Sequence, residues 1–247
     1  AGTNFSEMFY NTEAFNQDIG NWDVSAGTNF SEMFYNTEAF NQDIGGWDVG
    51  AGTNFSWMFT HADEFNQDID GWDVGNGTDF SFMFAASNFN QDISSWDVSN
   101  GTDFTSMFSS TYAFNQDIGS WDVSNGRNFT AMFMKNSIFN QDISVWNANN
   151  VTDFTSMFEE SDAMIAAGWS ETPSASDFSG KTITGTEEAD TLNGKDGNDV
   201  INGGLKDDVL TGGKGNDKYY VDSKDDRVIE KAGEGIDLIY SSVTYTA

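Results

Sequence analysis

Four aspartates recur at intervals of nine residues near the end of the chain, and each lies two residues before an apolar residue. They follow glycine-rich turns, as in the segment from Gly212 to Asp217. Glycine lets a backbone turn tightly and aim its carbonyl oxygens at one point. Carbonyl oxygens with one carboxylate per turn are the hard ligands that Ca²⁺ prefers. The pattern therefore predicts a calcium-binding coil. Its predicted ligand residues are Asp190, Asp196, Asp199, Asp208, Asp217, Gly197, Gly204, Gly213 and Gly215.

The unit from Gly212 to Tyr220 matches the nonapeptide Gly-Gly-x-Gly-x-Asp-x-apolar-x at every position. The segment resembles the RTX repeats of secreted bacterial proteins. The resemblance implies a parallel β-roll ordered by calcium, an extracellular or cell-surface location, and export by type I secretion. Lys195 and Lys206 replace glycines of the motif. A disordered glycine-rich tail, the alternative, does not account for the nine-residue register. We expect the apolar runs after residue 220 to form capping strands.

Residues 1 to about 160 contain a second repeat of 25 residues, with a single step of 24. A fixed period of this length predicts a solenoid. Alternation around Trp22-Asp23-Val24 predicts a short strand in each unit. Thr28, followed by Phe30 and Phe34 at helical spacing, predicts a short helix with Thr28 as its N-cap. The repeat is marked by tryptophan at Trp22, Trp47, Trp72, Trp96, Trp121 and Trp146.

The phrase from Phe15 to Val24, Phe-Asn-Gln-Asp-Ile-x-x-Trp-Asp-Val, resembles BspA-like surface leucine-rich repeats. Tryptophan and phenylalanine stand where leucine is usual in that family. The resemblance implies an α/β solenoid of parallel strands and short helices. We therefore predict a leucine-rich-repeat solenoid with a C-terminal cap over residues 1–167, a linker over 168–182, and the RTX roll with capping strands over 183–247. We also expect the chain to be a fragment of a larger bacterial RTX adhesin-like protein.

Two rows of aspartates follow the 25-residue repeat. The first aspartate row, directly after the tryptophans, is Asp23, Asp48, Asp73, Asp97 and Asp122. The second aspartate row, at the predicted strand entry, is Asp18, Asp43, Asp68, Asp92, Asp117 and Asp142. Neighbouring strands are about 4.8 Å apart, so stacked carboxylates repel each other. Residues 1 to 160 hold 23 acidic residues against Arg127 and Lys135 alone.

Two interpretations of these rows stay open. One is a solvated acidic surface that keeps a halophilic or marine secreted protein soluble. The other, which we favour, is that divalent cations bridge the rows within one solenoid or between two. A calcium-bridged homodimer would use such a face symmetrically.

The expected function is a calcium-dependent adhesion module whose acidic face associates with a second copy and links bacterial cells. The alternative is recognition of a glycan or protein on another cell by the same face. Ice binding is a remote alternative that rests on a threonine row, interrupted by Arg127. That row is Thr3, Thr28, Thr53, Thr78, Thr102 and Thr152. A second possible interface is Trp57 with Phe82, neighbours in successive units, unless they pack locally against Tyr35 or His61.

Composition narrows the function classes. The formal net charge of -30 makes nucleic acid an improbable partner, and the absence of cysteine excludes disulfides and thiolate metal sites. No apolar run is long enough to predict membrane insertion. His61 is the single histidine, and the acids are distributed by repeat rather than paired, so we expect no enzyme activity. A glycosidase using two of these carboxylates is the one catalytic alternative.

Overall fold

The structure is a computed structural model that describes residues 2–178, 180–231 and 235–244, except for the side chains of residues 176, 195, 196 and 214. The chain forms two compact units. The first, here called the repeat unit, comprises Ala1–Asp142 and Asn150–Pro173. The second, here called the C-terminal unit, comprises Ile143–Asn149 and Ser174–Ala247. Within the described residues, no helix has the length and apolarity needed to cross a membrane.

The repeat unit is a solenoid in which hydrogen bonds join equivalent segments of successive repeats. Glu32 N–H donates to the Ser56 carbonyl at 2.9 Å, and further N–H groups of the same segment donate to the next repeat in the same way. At Thr28 and its equivalents in later repeats the bonds run in the opposite direction. Thr53 N–H, for example, donates to the Thr28 carbonyl of the preceding repeat at 2.9 Å. The predicted solenoid is confirmed.

The interior of each repeat differs from the predicted strand and helix. The segment after Thr28 forms turns, because Glu32 and Asn36 have left-handed φ values of 56° and 52°. Such residues interrupt an α-helix. The physical reason is that alternate N–H groups of this segment, which a helix would use internally, are donated to the next repeat. The Thr28 hydroxyl likewise donates to the Thr3 carbonyl at 3.1 Å instead of capping a helix.

The predicted strand at Trp22-Asp23-Val24 is also irregular in the structure. Ser25 N–H donates to Asp23 Oδ1 at 3.2 Å, which closes a local turn. Side-chain acceptors of this kind compete with a sheet for the backbone donors. Parallel pairing occurs instead at single positions, such as Asn29 with Asn54.

The core of the repeat unit consists of stacked aromatic rings. The ring centroids of Phe34 and Phe59 lie 5.5 Å apart, and the two rings are nearly parallel. The ring centroids of Trp47 and Trp72 lie 6.5 Å apart, with an angle of 3° between the ring planes. Trp72 Nε1 donates to the carbonyl of Ile44 in the preceding repeat at 3.0 Å. The buried indole is therefore satisfied by the same neighbour that it packs against.

A short helix, α1 (Asp162–Ala166), follows the last repeat and buries Met164. It is the one α-helix in the part of the chain that the structure describes. Trp169 N–H donates to the Met164 carbonyl at 3.1 Å, and the Trp169 ring contacts Phe158. Trp169 thus packs against Phe158, a phenylalanine of the last repeat.

The C-terminal unit contains a parallel β-roll, here called the roll (residues 182–241), preceded by a 3-10 helix at Ala175–Phe178. Its strands alternate between two sheets, which confirms the predicted β-roll. One sheet has the order β1 (Thr182–Thr184), β3 (Val200–Asn202), β5 (Lys218–Val221) and β7 (Leu238–Ser241). The other has the order β2 (Thr191–Asp196), β4 (Val209–Lys214) and β6 (Arg227–Ile229). Ile201, Leu210, Tyr219 and Val221 form the buried core between them.

Candidate metal centre

The aspartates of the roll stand directly before its strands and hold successive coils together. Asp217 Oδ1 accepts the N–H of Asp199, 18 residues earlier, at 2.7 Å. Asp208 Oδ1 accepts the N–H of Asp190 in the same way at 2.8 Å. The bonds form two rows, one of Asp199, Asp217 and Asp237 and the other of Asp190, Asp208 and Asp226.

The second carboxylate oxygen of Asp199, Asp208 and Asp217 is buried. These Oδ2 atoms have no hydrogen-bond partner among the described residues. A buried carboxylate oxygen without a partner is costly. A cation that supplied the missing interaction would remove this cost, so the residues fit a hard metal ion.

Glycine keeps the space beside these oxygens open. A Cβ atom added at Gly194, Gly203 or Gly212 would overlap the Oδ2 of the aspartate five residues later. Each of these glycines opens its nonapeptide turn. The turns therefore place a carboxylate oxygen against bare backbone, where it and the backbone carbonyls can share an ion.

Asp190 differs from the other three predicted aspartates. Its Oδ2 accepts the N–H of Thr186 at 2.6 Å and the Thr186 hydroxyl at 2.9 Å. The turn before it keeps one glycine of the motif, Gly185. The protein itself thus satisfies the oxygen that the later turns leave for a cation.

Burial shifts the ionisation of the three aspartates. Burial raises the pKa of Asp199 and of Asp208, and it raises the pKa of Asp217 to about 7. The charges of Asp199, Asp237 and Glu230 add to the effect on Asp217. A neighbouring positive charge would therefore stabilise the ionised form of Asp217.

Lys181 places a positive charge beside Asp199, the first aspartate of the row that continues with Asp217 and Asp237. Lys181 Nζ donates to the Gly194 carbonyl at 3.0 Å, and Lys181 N–H donates to Asp199 Oδ1 at 2.6 Å. The lysine charge opposes the rise in the pKa of Asp199. An internal ammonium therefore supplies part of the positive charge at this end of the row.

The predicted glycines adopt backbone that favours glycine. Gly197, Gly204, Gly213 and Gly215 have φ values of 110°, 96°, 103° and 127°. Lys206 stands at a glycine position of the motif and still adopts a φ of 79°. A left-handed conformation of this kind costs a residue with a side chain about 1–2 kcal/mol. The side chain of Asp196, the remaining predicted ligand, lies outside the described part of the structure.

Three roll residues of similar placement were not predicted as ligands. Asp226 and Asp237 extend the two aspartate rows, and Glu230 Oε2 is a further buried oxygen without a partner among the described residues. The sequence contains a signal for Asp226, which lies nine residues after Asp217 and two before Val228. Glu230 has no such signal, because it occupies the first position of the nine-residue register, where the motif has glycine and not an acid.

The two aspartate rows of the repeat unit lie on the surface, and every member is exposed. Their carboxylates accept backbone N–H groups two residues ahead, as in Gly45 to Asp43 at 3.0 Å and Gly50 to Asp48 at 3.1 Å. The Cβ position of Gly50 is 3.3 Å from both Asp48 Oδ1 and Asp73 Oδ2. Asp48 and Asp73, successive members of the first row, thus lie on either side of Gly50. The aspartates also have a structural role, because their carboxylates accept the N–H groups of the local turns.

Hydrogen bonds also stabilise the ionised form of several row members. Hydrogen bonds from Ser25 lower the pKa of Asp23, and those from Ser99 lower the pKa of Asp97. Bonds from the serine two residues ahead lower the pKa of Asp92 and Asp122 in the same way. These carboxylates therefore stay charged at neutral pH.

Trp57 and Phe82 are half-buried and stack on each other at 3.8 Å. Trp57 is also tilted against Tyr35, with ring centroids 6.0 Å apart. Both residues have left-handed backbone, with φ values of 60° and 58°, which is unusual for bulky side chains. They form part of an aromatic row on the surface of the repeat unit.

Comparison with known families accounts for both repeats. The family described as "Mycoplasma protein of unknown function, DUF285" matches residues 2–88 and 72–169. The RTX calcium-binding nonapeptide repeat, in four copies, matches residues 184–219 and 193–228, which contain the turns with the buried aspartate oxygens. RTX repeats are typical of secreted or surface proteins. No curated protein and no solved structure matches this chain. The chain belongs to the DUF285 family over its 25-residue repeats and carries RTX calcium-binding repeats in its roll.

Proposed function

We propose that this chain is an extracellular calcium-dependent adhesion module whose roll is ordered by calcium. The observation that carries the calcium part is the set of buried Oδ2 atoms of Asp199, Asp208 and Asp217. The RTX match over the same turns supports calcium as the ion. Export by type I secretion belongs to the proposal, because folding that needs millimolar calcium would be delayed until the chain leaves the cell.

Calcium titration of the full chain tests this part. We expect calcium, and not magnesium, to increase the β-sheet signal in circular dichroism. Asp208→Asn should raise the calcium concentration at the midpoint. Asp190→Asn is the matched control, because Thr186 already satisfies its Oδ2. A β-sheet signal that is equal in calcium and in excess chelator would contradict calcium-ordered folding.

We further propose that the acidic face of the repeat unit mediates homophilic association through bridging divalent cations. The exposure of both aspartate rows and the close approach of Asp48 and Asp73 around Gly50 support this proposal. The resemblance to BspA-like surface repeats supports an adhesive role. Recognition of a glycan is the second candidate, and the half-buried stack of Trp57 on Phe82 favours it, because an aromatic patch at a surface marks a contact site.

Sedimentation velocity of the full chain separates the two candidates. A reversible dimer in millimolar calcium, absent in chelator, is expected for homophilic association. Replacing Asp48, Asp73 and Asp97 together by asparagine should abolish the dimer while the calcium response of the roll persists. Replacing Glu13, Glu38 and Asp63 together by their amides is the matched control, because these three exposed acids follow the same repeat but lie outside both aspartate rows. A monomer in both conditions would rule out homophilic association and direct the search to glycans.

A further inference from the structure

Three carboxylates converge where the last two strands of the roll meet its nonapeptide turns. Asp217 precedes β5, Glu230 follows β6, and Asp237 precedes β7. Each offers one oxygen, and the three oxygens lie within 4.8 Å of one another. Glu230 and Asp237 lie beyond the residues that match the RTX repeat.

The protein holds this group in place through backbone and hydroxyl contacts. Glu230 Oε1 accepts the N–H of Gly212 at 3.0 Å and the hydroxyl of Tyr219. Asp237 Oδ1 accepts the N–H of Asp217 at 3.0 Å. These contacts orient the Glu230 and Asp237 carboxylates toward Asp217.

Two of the oxygens are buried without a partner. Asp217 is 1% exposed, and its Oδ2 has no hydrogen bond among the described residues. Glu230 Oε2 is likewise buried and without a hydrogen bond there. Like charges this close repel each other strongly in a buried environment. The group needs a cation that accepts several carboxylate oxygens at once.

We propose that Asp217, Glu230 and Asp237 bind a calcium-class cation that links the two sheets of the roll and fastens β6 and β7. This site shares Asp217 with its nonapeptide turn and adds the carboxylates of Glu230 and Asp237 to the single carboxylate that such a turn offers. Three carboxylates favour a hard ion of high charge that tolerates irregular geometry, and this favours calcium over magnesium. The site rests on the proposed function only for the identity of the ion.

Calcium binding to the full chain by equilibrium dialysis tests the site. Glu230→Gln keeps the shape of the side chain and an oxygen for Gly212 and Tyr219, and it should lose one ion per chain relative to the wild type. Glu188→Gln, on an exposed turn, is the matched control and should lose none. Asp199→Asn should lower binding by the nonapeptide turns and leave the Glu230-dependent ion. An unchanged number and affinity of ions in Glu230→Gln would overturn the proposal.

Anomalous diffraction from wild-type crystals soaked in terbium covers the case in which Glu230→Gln does not fold. Terbium is a trivalent probe for calcium sites. A peak about 2.3–2.6 Å from oxygens of all three residues would establish the site. Peaks at the nonapeptide turns with none between the three carboxylates would overturn it and leave the proposed function intact. Absence of peaks at the turns would instead contradict the proposed function.

Discussion

The aspartates of the roll use their two carboxylate oxygens for different tasks. In Asp217, Oδ1 accepts the N–H of Asp199 and Oδ2 lies buried against Gly212. Asparagine could accept the same N–H through its oxygen, but its amide would place donors where a cation must bind. The hydrogen bond between coils would therefore tolerate aspartate or asparagine. Only the position of Oδ2 requires aspartate.

Gly212→Ala is predicted to impair this arrangement. Its methyl group would overlap both Asp217 Oδ2 and the Tyr219 hydroxyl. Overpacking of this kind costs about 1–3 kcal/mol. In saturating calcium, denaturant unfolding of the roll should show a loss of that size, and the calcium midpoint should rise. Gly46→Ala is the control, because no atom lies within 4 Å of its added Cβ. Equal stability of the two variants would contradict the role of Gly212.

The raised pKa of Asp217 predicts a pH dependence of calcium binding. Without calcium, the carboxyl titrates at about 7 in the folded roll against 3.8 as its ordinary value. The folded calcium-free roll then binds more protons than the unfolded chain, so its stability falls as the pH rises from about 4 to about 7. Calcium must displace this proton. Calcium titrations at about pH 6 and about pH 8 should therefore show the higher midpoint calcium concentration at the lower pH.

Asp217→Asn removes this carboxyl and is the control for the assignment. The variant should bind calcium more weakly at both pH values, with a smaller difference between them. A midpoint for the wild type that does not change with pH would show that Asp217 is ionised before calcium binds.

Elements of the two units differ in how they use backbone hydrogen bonds. The roll uses regular parallel strands, whereas the repeat unit combines single bridges with left-handed turns. In the repeat unit, successive repeats are held in register by stacked rings, and buried tryptophans donate their Nε1–H to a carbonyl of the preceding repeat. Trp72 illustrates this, because its ring stacks on Trp47 and its Nε1 donates to Ile44.

Trp72→Phe is predicted to lower the free energy of unfolding of the repeat unit by about 2–4 kcal/mol. The change leaves the Ile44 carbonyl without its donor and a gap beside the ring stack. Trp22→Phe is the matched control at the equivalent position, because Trp22 is 41% exposed while Trp72 is 3% exposed. Its cost should stay below about 1 kcal/mol. Chemical denaturation followed by circular dichroism measures both, and similar costs would contradict the role of the stack.

The sequence predicted the roll better than the interior of the 25-residue repeat. Asp-x-apolar at nine-residue spacing places Ile201, Leu210 and Tyr219 in the core, because a strand fixes which side chains point inward. Phe30 and Phe34 have helical spacing, but spacing alone does not reveal that their own N–H groups and that of Glu32 bond to the next repeat. Glu230 was missed for a related reason, since only the folded coil brings it to Asp217.

At the scale of the whole molecule, the two units have different sources of stability. The repeat unit contains a continuous stack of buried rings, which needs no ion to form. The core of the roll is small, and buried carboxylates oppose it until cations bind. Folding of such a segment is coupled to its metal.

Chelation is therefore predicted to unfold one unit and spare the other. In excess chelator at about pH 8, where a pKa of about 7 leaves Asp217 ionised and the calcium-free roll least stable, hydrogen exchange should become fast across the strands from residue 182 to 241. Amides of the repeat unit that bond between repeats, such as Glu32 N–H, should stay protected. Re-addition of calcium should restore protection in the roll. Simultaneous loss of protection in both units would show that the repeat unit also depends on the ion.

The two directions of hydrogen bonding in the repeat unit bear on how the gene can change. Each internal junction pairs the same donors with the same acceptors, so removing or duplicating 25 residues leaves matched neighbours on both sides. Residues 1–25 and 26–50 differ only at positions 21/46 and 25/50, which makes their coding sequences substrates for unequal recombination. The products would be shorter or longer proteins that still fold. The length of the repeat unit is thereby a heritable trait that selection can adjust by one repeat at a time.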